Sequence, residues 1–256
     1  MKHNQSYFYG TSGLILPVPN KQYYPVEFQD KSRLTYYASL FNSLEVNSSF
    51  YKVPMASTVQ KWATEVPDDF RFTFKLFRDI THQKGFVFDT ELIDHFMQTI
   101  NLAGHKKGSL LVQLPPSVTN GNIRQLEKIL AGIRFNDPEL AWDTAVEFRS
   151  KSWYNEETYD LLSQYNMGLV IQDMPASATP IQQVSTNFIY LRFHGPNGNY
   201  KDSYNDDFLY EYAEYVKDWL DEGKKVYVYF NNTMGDAIAN LKTLNSYLQP
   251  YLPVYQ

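Results

Sequence analysis

Short apolar runs alternate with amphipathic segments along all 256 residues of the chain, and few folds accommodate such a pattern. Runs of this length predict buried strands, while the segments between them carry helix start signals, such as Asp89-Thr90 before Glu91. Alternating strands and helices indicate a parallel sheet covered by helices. We predict eight strands, over residues 7–11, 43–47, 71–76, 109–114, 144–149, 168–173, 187–194 and 225–231.

Eight strand–helix units predict the α/β class and a single (β/α)₈ TIM-type barrel, one domain over residues 1–256. No Gly/Ser-rich linker, low-complexity run or internal repeat marks a domain boundary. One crossover is expected to be irregular, because Pro175 and Pro180 leave no convincing helix between Met174 and Thr186, after the sixth strand.

The composition argues against several classes of protein. A formal net charge of -5, from 23 basic and 28 acidic residues, disfavours nucleic acid as a partner, because a polyanion requires a basic surface. The absence of cysteine removes disulfides, thiolate metal sites and a cysteine nucleophile. Neither an apolar signal core after Met1 nor a run of ~20 apolar residues is present. We therefore expect a cytoplasmic protein with no membrane partner, and the sequence assigns no oligomeric state.

Within several predicted strands the apolar and polar side chains separate by parity, as a two-residue period requires. In the second strand Leu44 and Val46 share one face, and Glu45 and Asn47 share the other. If the apolar faces pack on the helices, the polar faces enter the barrel. The same alternation places further polar side chains inside: Thr73, Lys75, Glu147, Arg149, Arg192 and His194.

These polar residues lie in the C-terminal halves of the strands, joined by Gln113, Asp173 and Asn231, and barrel enzymes assemble their active sites at that end. We therefore expect a small-molecule substrate there. A structural alternative stays open, in which the carboxylates and cations neutralise one another and hold the strand ends together. Because apolar replacements of such networks are often neutral or stabilising, a ligand explains the charges better.

Residue chemistry suggests a role for each member of the set. Glu45 and Glu147 are the candidate acid/base pair, and Asp173 is a third candidate catalytic carboxylate. Guanidinium forks bind phosphate or carboxylate at two points, so three cations are candidate clamps for an anion: Lys75, Arg149 and Arg192. The other predicted substrate-binding residues are Asn47, His82, Gln113, His194 and Asn231. Loop aromatics expected at the pocket mouth are Tyr23, Tyr24, Phe50, Tyr51 and Tyr200.

Other chemistries fit the residues less well. Barrel glycosidases of one large clan place their two carboxylates at the ends of the fourth and seventh strands, where the chain instead offers Gln113 and Arg192 with His194. Lys75 would form a Schiff base if burial lowered its pKa, yet a lysine beside acids more often forms an ion pair. No metal ligand is assigned, because no HExxH motif or local ligand pair is present, and no other cofactor is indicated. A divalent metal stays a minor alternative, with candidate ligands Glu45, Glu147, Asp173, His82 and His194.

Local motifs recur along the chain in a characteristic order. They are Gly10-Thr11-Ser12-Gly13, Leu44-Glu45-Val46-Asn47, Phe72-Thr73-Phe74-Lys75, Thr81-His82, Gln113-Leu114-Pro115-Pro116, Val146-Glu147-Phe148-Arg149, Asp173-Met174-Pro175, Arg192-Phe193-His194-Gly195 and Phe230-Asn231-Asn232. With these motifs the chain resembles the YecE/YunF-like family, domain-of-unknown-function family 72, over nearly its whole length. The resemblance implies a barrel fold, assigns no activity, and adds Ser12 to the candidate substrate-binding residues.

The chain departs from the family pattern in its first loop, where Leu14 replaces a usual tryptophan and Leu16-Pro17-Val18-Pro19 replaces an aromatic stretch. We expect this loop to shape the pocket differently.

Our leading hypothesis is an enzyme-like barrel that binds a small anionic or polyol substrate, with hydrolase, lyase and isomerase chemistry left open. One alternative is a non-catalytic ligand-binding or structural protein. Another, by analogy of fold alone, is a metal-dependent phosphodiesterase that processes nucleic acid.

Overall fold

The structure is a computed structural model that describes residues 6–181 and 186–252. Eight parallel strands form one sheet that curls into a barrel, which confirms the predicted (β/α)₈ fold. The strands are β1 (Tyr7–Thr11), β2 (Ser43–Val46), β3 (Arg71–Lys75), β4 (Lys107–Gln113), β5 (Asp143–Glu147), β6 (Gly168–Gln172), β7 (Phe188–Phe193) and β8 (Lys225–Phe230). All eight coincide with predicted strands, and the largest shifts are at the start of β4 and the end of β5.

Helices surround the strands. They are α1 (Arg33–Ala38), α2 (Ser48–Tyr51), α3 (Ala56–Glu65), α4 (Arg78–Thr81), α5 (Glu91–Ile100), α6 (Ile123–Asn136), α7 (Glu156–Gln164), α8 (Asp206–Asp221) and α9 (Ala237–Tyr247). The start signals act as caps: the Asn205 side chain accepts a hydrogen bond from the Phe208 amide at 2.9 Å at the start of α8. None of the helices in residues 6–181 and 186–252 has both the length and the apolar character of a membrane span.

The predicted irregular crossover follows β6. Residues 173–181 contain a turn and no helix, in keeping with Pro175 and Pro180 in that segment. Residues 182–185, which also fall in the predicted irregular segment, lie outside the described residues.

Two apolar layers follow from the parity of the strands. Side chains such as Phe72, Phe74 and Val146 point outward and pack with helix residues such as Ile93 and Phe96. A second, smaller cluster fills the barrel below the polar strand ends: Phe8, Leu111, Ala145, Val170, Phe188, Tyr190, Tyr227 and Tyr229. The interior is therefore a packed core, and the polar residues lie above it at the C-terminal ends of the strands.

The barrel closes differently at the two edges of β1. On one side β1 forms a continuous parallel ladder with β8, from Tyr7 beside Val226 to Thr11 beside Phe230. On the other side, an isolated bridge pairs Ser12 with Glu45 on β2 beyond the end of β1.

Side chains connect β1 and β2 where the backbone ladder is absent. The Tyr37 hydroxyl accepts a hydrogen bond from the Thr11 amide at 2.7 Å and donates one to the Ser43 carbonyl at 3.1 Å. A Cβ atom on Gly10 would lie 2.0 Å from the Ser43 oxygen, so only glycine permits this approach. We call this junction the β1–β2 seam; the Asn42 side chain also bridges it.

Candidate active site

Arg192, at the C-terminal end of β7, is the centre of a buried polar network. Its Nε donates to both Glu45 oxygens, at 3.2 and 3.0 Å, and its Nη2 donates to Glu45 Oε1 at 2.9 Å and to the Ser12 hydroxyl at 3.0 Å. Its Nη1 lies 3.1 Å from Glu147 Oε2 and 2.8 Å from His194 Nε2. Since a guanidinium has five N–H groups, all the donors of Arg192 are used inside the protein.

Glu45, on β2, is fully buried against Arg192. The Tyr190 hydroxyl donates to its Oε2 at 2.5 Å, and the Ser12 hydroxyl donates to its Oε1. Burial alone would raise the pKa of this carboxyl, but the charge and hydrogen bonds of Arg192 outweigh burial and lower it. Glu45 is therefore an ionised group at neutral pH whose oxygens already have partners.

Glu147 and Arg149 form the second ion pair of the network, at the end of β5. Arg149 Nη2 contacts Glu147 Oε1, and the Glu147 side chain is completely buried. Burial would raise the pKa of Glu147, but the charges of Arg149 and Arg192 hold it well below its ordinary value. Both predicted acid/base carboxyls are thus ionised and lie among the arginines.

The hydrogen-bond partners of His194 fix its tautomer. Its Nε2 lies 2.8 Å from Arg192 Nη1 and 2.9 Å from Arg149 Nη2, and guanidinium N–H groups can only donate. Nε2 must therefore be the acceptor, which leaves the proton on Nδ1, 3.2 Å from Asp173 Oδ1. Burial lowers the pKa of His194, in agreement with a neutral ring. Asp173 in turn accepts a hydrogen bond from the Tyr204 hydroxyl.

A cavity of about 150 Å³ opens beside this network. Its walls combine cations, amides and aromatic rings: Asn47, Phe50, Tyr51, Lys75, Arg149, Arg192, Tyr200 and Asn231. Among the described residues no acidic side chain lines this cavity, which we call the mouth cavity. Glu45 and Glu147 lie behind the arginines.

Arg149 lines the mouth cavity and has donors without a partner in the described part of the protein. Its Nη2 is held by Glu147 and His194, but its Nε is buried with no hydrogen-bond partner among the described residues. No group in residues 6–181 or 186–252 accepts a hydrogen bond from its Nη1 either. A guanidinium N–H without an acceptor is costly, so the part of Arg149 that lines the mouth cavity suits a ligand that accepts hydrogen bonds.

Lys75, at the end of β3, differs from the expected ion-pair lysine. It is 9% exposed and lines the mouth cavity, and no described residue forms a salt bridge or hydrogen bond with its Nζ. The Nζ lies 4.1 Å from the centre of the Phe50 ring. Burial, reinforced by the charge of Arg192, lowers the pKa of Lys75 to about 7. The expectation that Lys75 forms an ion pair was wrong, because Arg149 and Arg192 are the ion-pair partners of Glu45 and Glu147.

The structure places some of the remaining predicted residues in the lining of the mouth cavity and others outside it. Asn47 donates to the Ser12 hydroxyl at 2.5 Å, and Asn231 lines the mouth cavity. The His82 ring packs edge-on against Phe50, 4.8 Å between centres, and burial and Lys75 lower its pKa to about 4. Gln113 donates to the Leu114 carbonyl, and neither Gln113 nor His82 is in the lining.

Of the aromatic residues expected at the mouth, Phe50, Tyr51 and Tyr200 line it, whereas Tyr23 is exposed outside the lining and Tyr24 packs against Tyr36. Leu14 lies elsewhere, in a separate apolar cavity of about 220 Å³ that shares only Asn47 with the mouth cavity.

Two buried tyrosines of the network were missed by sequence reasoning. Tyr190 shares the interior face of β7 with Arg192, two residues away, so parity alone could have found it. Tyr204 lies in the loop before α8 and reaches Asp173, and no periodicity signals such a contact. Among the described residues no group of three or more His, Asp or Glu side chains is arranged to hold a metal ion.

The sequence profile described as "Protein of unknown function DUF72" matches residues 8–253 of the chain. The chain belongs to the DUF72 family. This confirms the resemblance seen in the motifs. The UPF0759 protein YunF of Bacillus subtilis (strain 168) is 27% identical over 255 residues, covering 86% of this DUF72 chain and 88% of YunF. The UPF0759 protein YecE of Escherichia coli (strain K12) is 33% identical over 79 residues, 31% of this chain and 29% of YecE.

Solved structures of DUF72 proteins share the fold. A family member from Enterococcus faecalis V583 superposes with a TM-score of 0.78 at 23% identity, covering 98% of this chain and 97% of that one. Another, from Thermotoga maritima MSB8, has a TM-score of 0.71 at 25% identity, covering 95% and 99%. Membership of the DUF72 family therefore establishes the barrel, while the chemistry has to be argued from the site.

Proposed function

We propose that this DUF72 protein is a barrel enzyme whose substrate is a small anion bound in the mouth cavity. The observation that carries the proposal is the one-sided charge of that cavity. Three cations line it, whereas the carboxylates that balance them are buried behind the arginines. A pocket with basic walls and low-polarity surroundings concentrates anions.

The donors that remain free favour an anion over a polyol. Arg149 lines the cavity with a guanidinium whose donors are only partly used by the protein, and Lys75 offers its Nζ. Both groups only donate hydrogen bonds when charged, and a carboxylate or phosphate only accepts them. A polyol would also need acceptors for its hydroxyl protons, which the amides of Asn47 and Asn231 could supply, but a neutral polyol would leave the positive charge of the cavity unbalanced.

A purely structural network accounts for part of the site only. Arg192 with Glu45 and Glu147 is such a network, because every donor of the guanidinium is satisfied. Lys75 and the Nε edge of Arg149 gain nothing from it, and leaving charged groups buried without partners destabilises a protein. Their placement is explained by a ligand that completes them.

The chemistry of the carboxyls favours positioning roles within this proposal. Glu45 and Glu147 are held ionised at low pKa, so they are weak bases and hold no proton to donate near neutral pH. We assign them to orient Arg192 and Arg149, and Asp173 to fix the tautomer of His194. The cavity, at about 150 Å³, is smaller than the roughly 300–1,000 Å³ that drug-sized ligands occupy, so the substrate has few carbon atoms.

Calorimetric titration tests the proposal. Phosphate, sulfate, lactate and malonate are compared with glycerol and xylitol as neutral polyols of similar size. We expect the anions to bind, and Arg149→Gln to weaken binding by about tenfold or more, which corresponds to about 1.4 kcal/mol. Arg124→Gln removes the same charge from an exposed position at the start of α6 and should bind as the natural protein does. Binding of polyols alone, or an Arg149→Gln variant with unchanged affinity, would contradict the proposal.

A further inference from the structure

We propose that Lys75 forms an imine with its substrate, so that the substrate class is a small anion bearing an aldehyde or ketone. The inference rests on the proposed function, because Arg149 and its neighbours must hold the anionic group for the carbonyl to meet the lysine. It goes further, because it assigns a covalent role to one residue of the site.

A second buried lysine shows what this chain does when a lysine is structural. Lys106 is 4% exposed, and its Nζ donates to the carbonyls of Ala63 at 2.7 Å and Val66 at 2.6 Å. Lys75 is buried to a similar degree, but its Nζ has no acceptor among the described residues and faces a cavity. The contrast separates a lysine that stabilises the fold from one that is kept available.

The backbone of Lys75 is held rigidly while its amine is left free. The Ser49 hydroxyl accepts from the Lys75 amide at 3.1 Å, and its one proton is shared between the carbonyls of Lys75 and Val46, each 2.7 Å away. The Phe50 ring lies under the amine and supplies no hydrogen-bond acceptor. A reacting group on a strand with a fixed backbone can be positioned accurately against a bound substrate.

Burial, reinforced by the charge of Arg192, lowers the pKa of Lys75 and keeps part of it in the nucleophilic form, although Glu147 and Glu45 act in the opposite direction. Its surroundings are Glu45 from β2, Glu147 and Arg149 from the end of β5, and Arg192 from β7. With a pKa of about 7, about half of the lysine is neutral amine at neutral pH, whereas an exposed lysine is almost entirely protonated. The guanidinium of Arg149 holds the anion, so the positive charge and the nucleophile are supplied by different residues.

The step balances without any further reactant. The nitrogen lone pair of Lys75 attacks the carbonyl carbon, a C–N bond forms, and the carbonyl π electrons move to oxygen. The oxygen gains a proton while the nitrogen loses one, which gives a carbinolamine. The nitrogen lone pair then forms the C=N bond as the hydroxyl, which takes up a proton, leaves as water, and the nitrogen gives up its second proton in exchange. Amine plus carbonyl thus yields imine plus one water, with no change of oxidation state. Water reverses the step and releases the lysine.

Reductive trapping tests the inference. The protein is incubated with glyoxylate, pyruvate or glycolaldehyde phosphate and sodium cyanoborohydride, and adducts are located by intact mass and peptide mapping. Glycolate, lactate and 2-hydroxyethyl phosphate are the matched anions without a carbonyl. We expect one adduct, on Lys75, formed at least about ten times faster than on an exposed residue such as Lys52, and abolished by lactate in excess. Lys75→Arg should give no rapid adduct, and Lys106→Arg should label normally.

The outcomes separate this inference from the proposed function. If lactate and pyruvate bind in calorimetry but none of the three carbonyl compounds traps on Lys75, the imine role is overturned and the anion site stands. If label spreads over exposed lysines at the rate seen in Lys75→Arg, the imine role is equally overturned. If neither the carbonyl anions nor their alcohols bind, the proposed function itself fails, and the inference fails with it.

Discussion

At the scale of single residues, Lys75 is buried in a place that does not favour its charge. Its pKa in the folded protein, about 7, lies below that of an unfolded lysine, so unfolding takes up a proton over the range between them. The penalty on the folded state is complete below pH 7 and decreases as the pH rises towards about 10.

Lys75→Met should therefore stabilise the protein at pH 6, by something on the order of 3 kcal/mol, and the gain should shrink at pH 9.5. Urea unfolding at the two pH values measures it. Lys106→Met is the matched control: it leaves two carbonyls without their donor and should destabilise by about 2 kcal/mol at both pH values. A Lys75→Met variant that is less stable at pH 6 would show that Lys75 supports the fold.

The sequence predicted which residues enter the barrel but not how they pair. Parity placed Glu45, Glu147 and Arg192 inside, and the structure joins them in one network. Which cation pairs with which carboxylate depends on distances across the barrel. The two-residue period of a strand shows which side chains point inward but gives no such distances. Lys75 shows the consequence, since it was expected to pair with an acid and finds none within the described structure.

At the scale of elements, the strands were predictable and the shortest helices were not. A run of five to seven mostly buried residues is a clear sequence signal for a strand, as in β4 and β7. α2 and α4 have four residues each, and a single turn has no repeat of 3.6 residues to recognise. Yet α2 carries Ser49, which is hydrogen-bonded to the Lys75 backbone, and Phe50, whose ring faces the Lys75 amine. A short element with no sequence signal therefore shapes the site.

The β1–β2 seam gives an element-scale prediction. Tyr37→Phe removes the hydroxyl that connects the Thr11 amide to the Ser43 carbonyl, and both groups would remain buried without partners. We expect a loss of about 2–4 kcal/mol of unfolding free energy, measured by urea denaturation.

The neighbouring tyrosine is a matched control for the seam. Tyr36 is also buried and packs against aromatic rings, but its hydroxyl has no hydrogen-bond partner among the described residues. Tyr36→Phe should change the unfolding free energy by less than about 0.5 kcal/mol. Equal effects of the two substitutions would mean that the seam depends on ring packing.

At the scale of the whole molecule, the buried ion pairs link global stability to pH. The pKa values of Glu45 and Glu147 are lowered in the folded state, so their contribution is present above the ordinary carboxyl pKa and is lost as the pH falls towards the lowered values. We expect the thermal midpoint to fall by something on the order of 10 °C between pH 5 and pH 3. Glu147→Gln should flatten this fall, and an equally steep fall in that variant would place the acid sensitivity elsewhere.

The same thermal unfolding experiment tests the prediction of a single domain. Buried tryptophans, such as Trp142, Trp153 and Trp219, report from different sectors of the barrel. If the chain is one cooperative unit, their fluorescence and the far-ultraviolet circular dichroism should change together. Two separated transitions would overturn the single-domain prediction.

The asymmetric closure of β1 has a consequence for synthesis. β1 has its ladder with β8, more than 200 residues later in the chain, and meets its sequence neighbour β2 chiefly through side chains. During synthesis on the ribosome, β1 therefore cannot form its ladder until β8 has been made. At ordinary elongation rates this delay is on the order of tens of seconds. During that time the nascent chain exposes an unpaired strand edge, the kind of surface that chaperones shield.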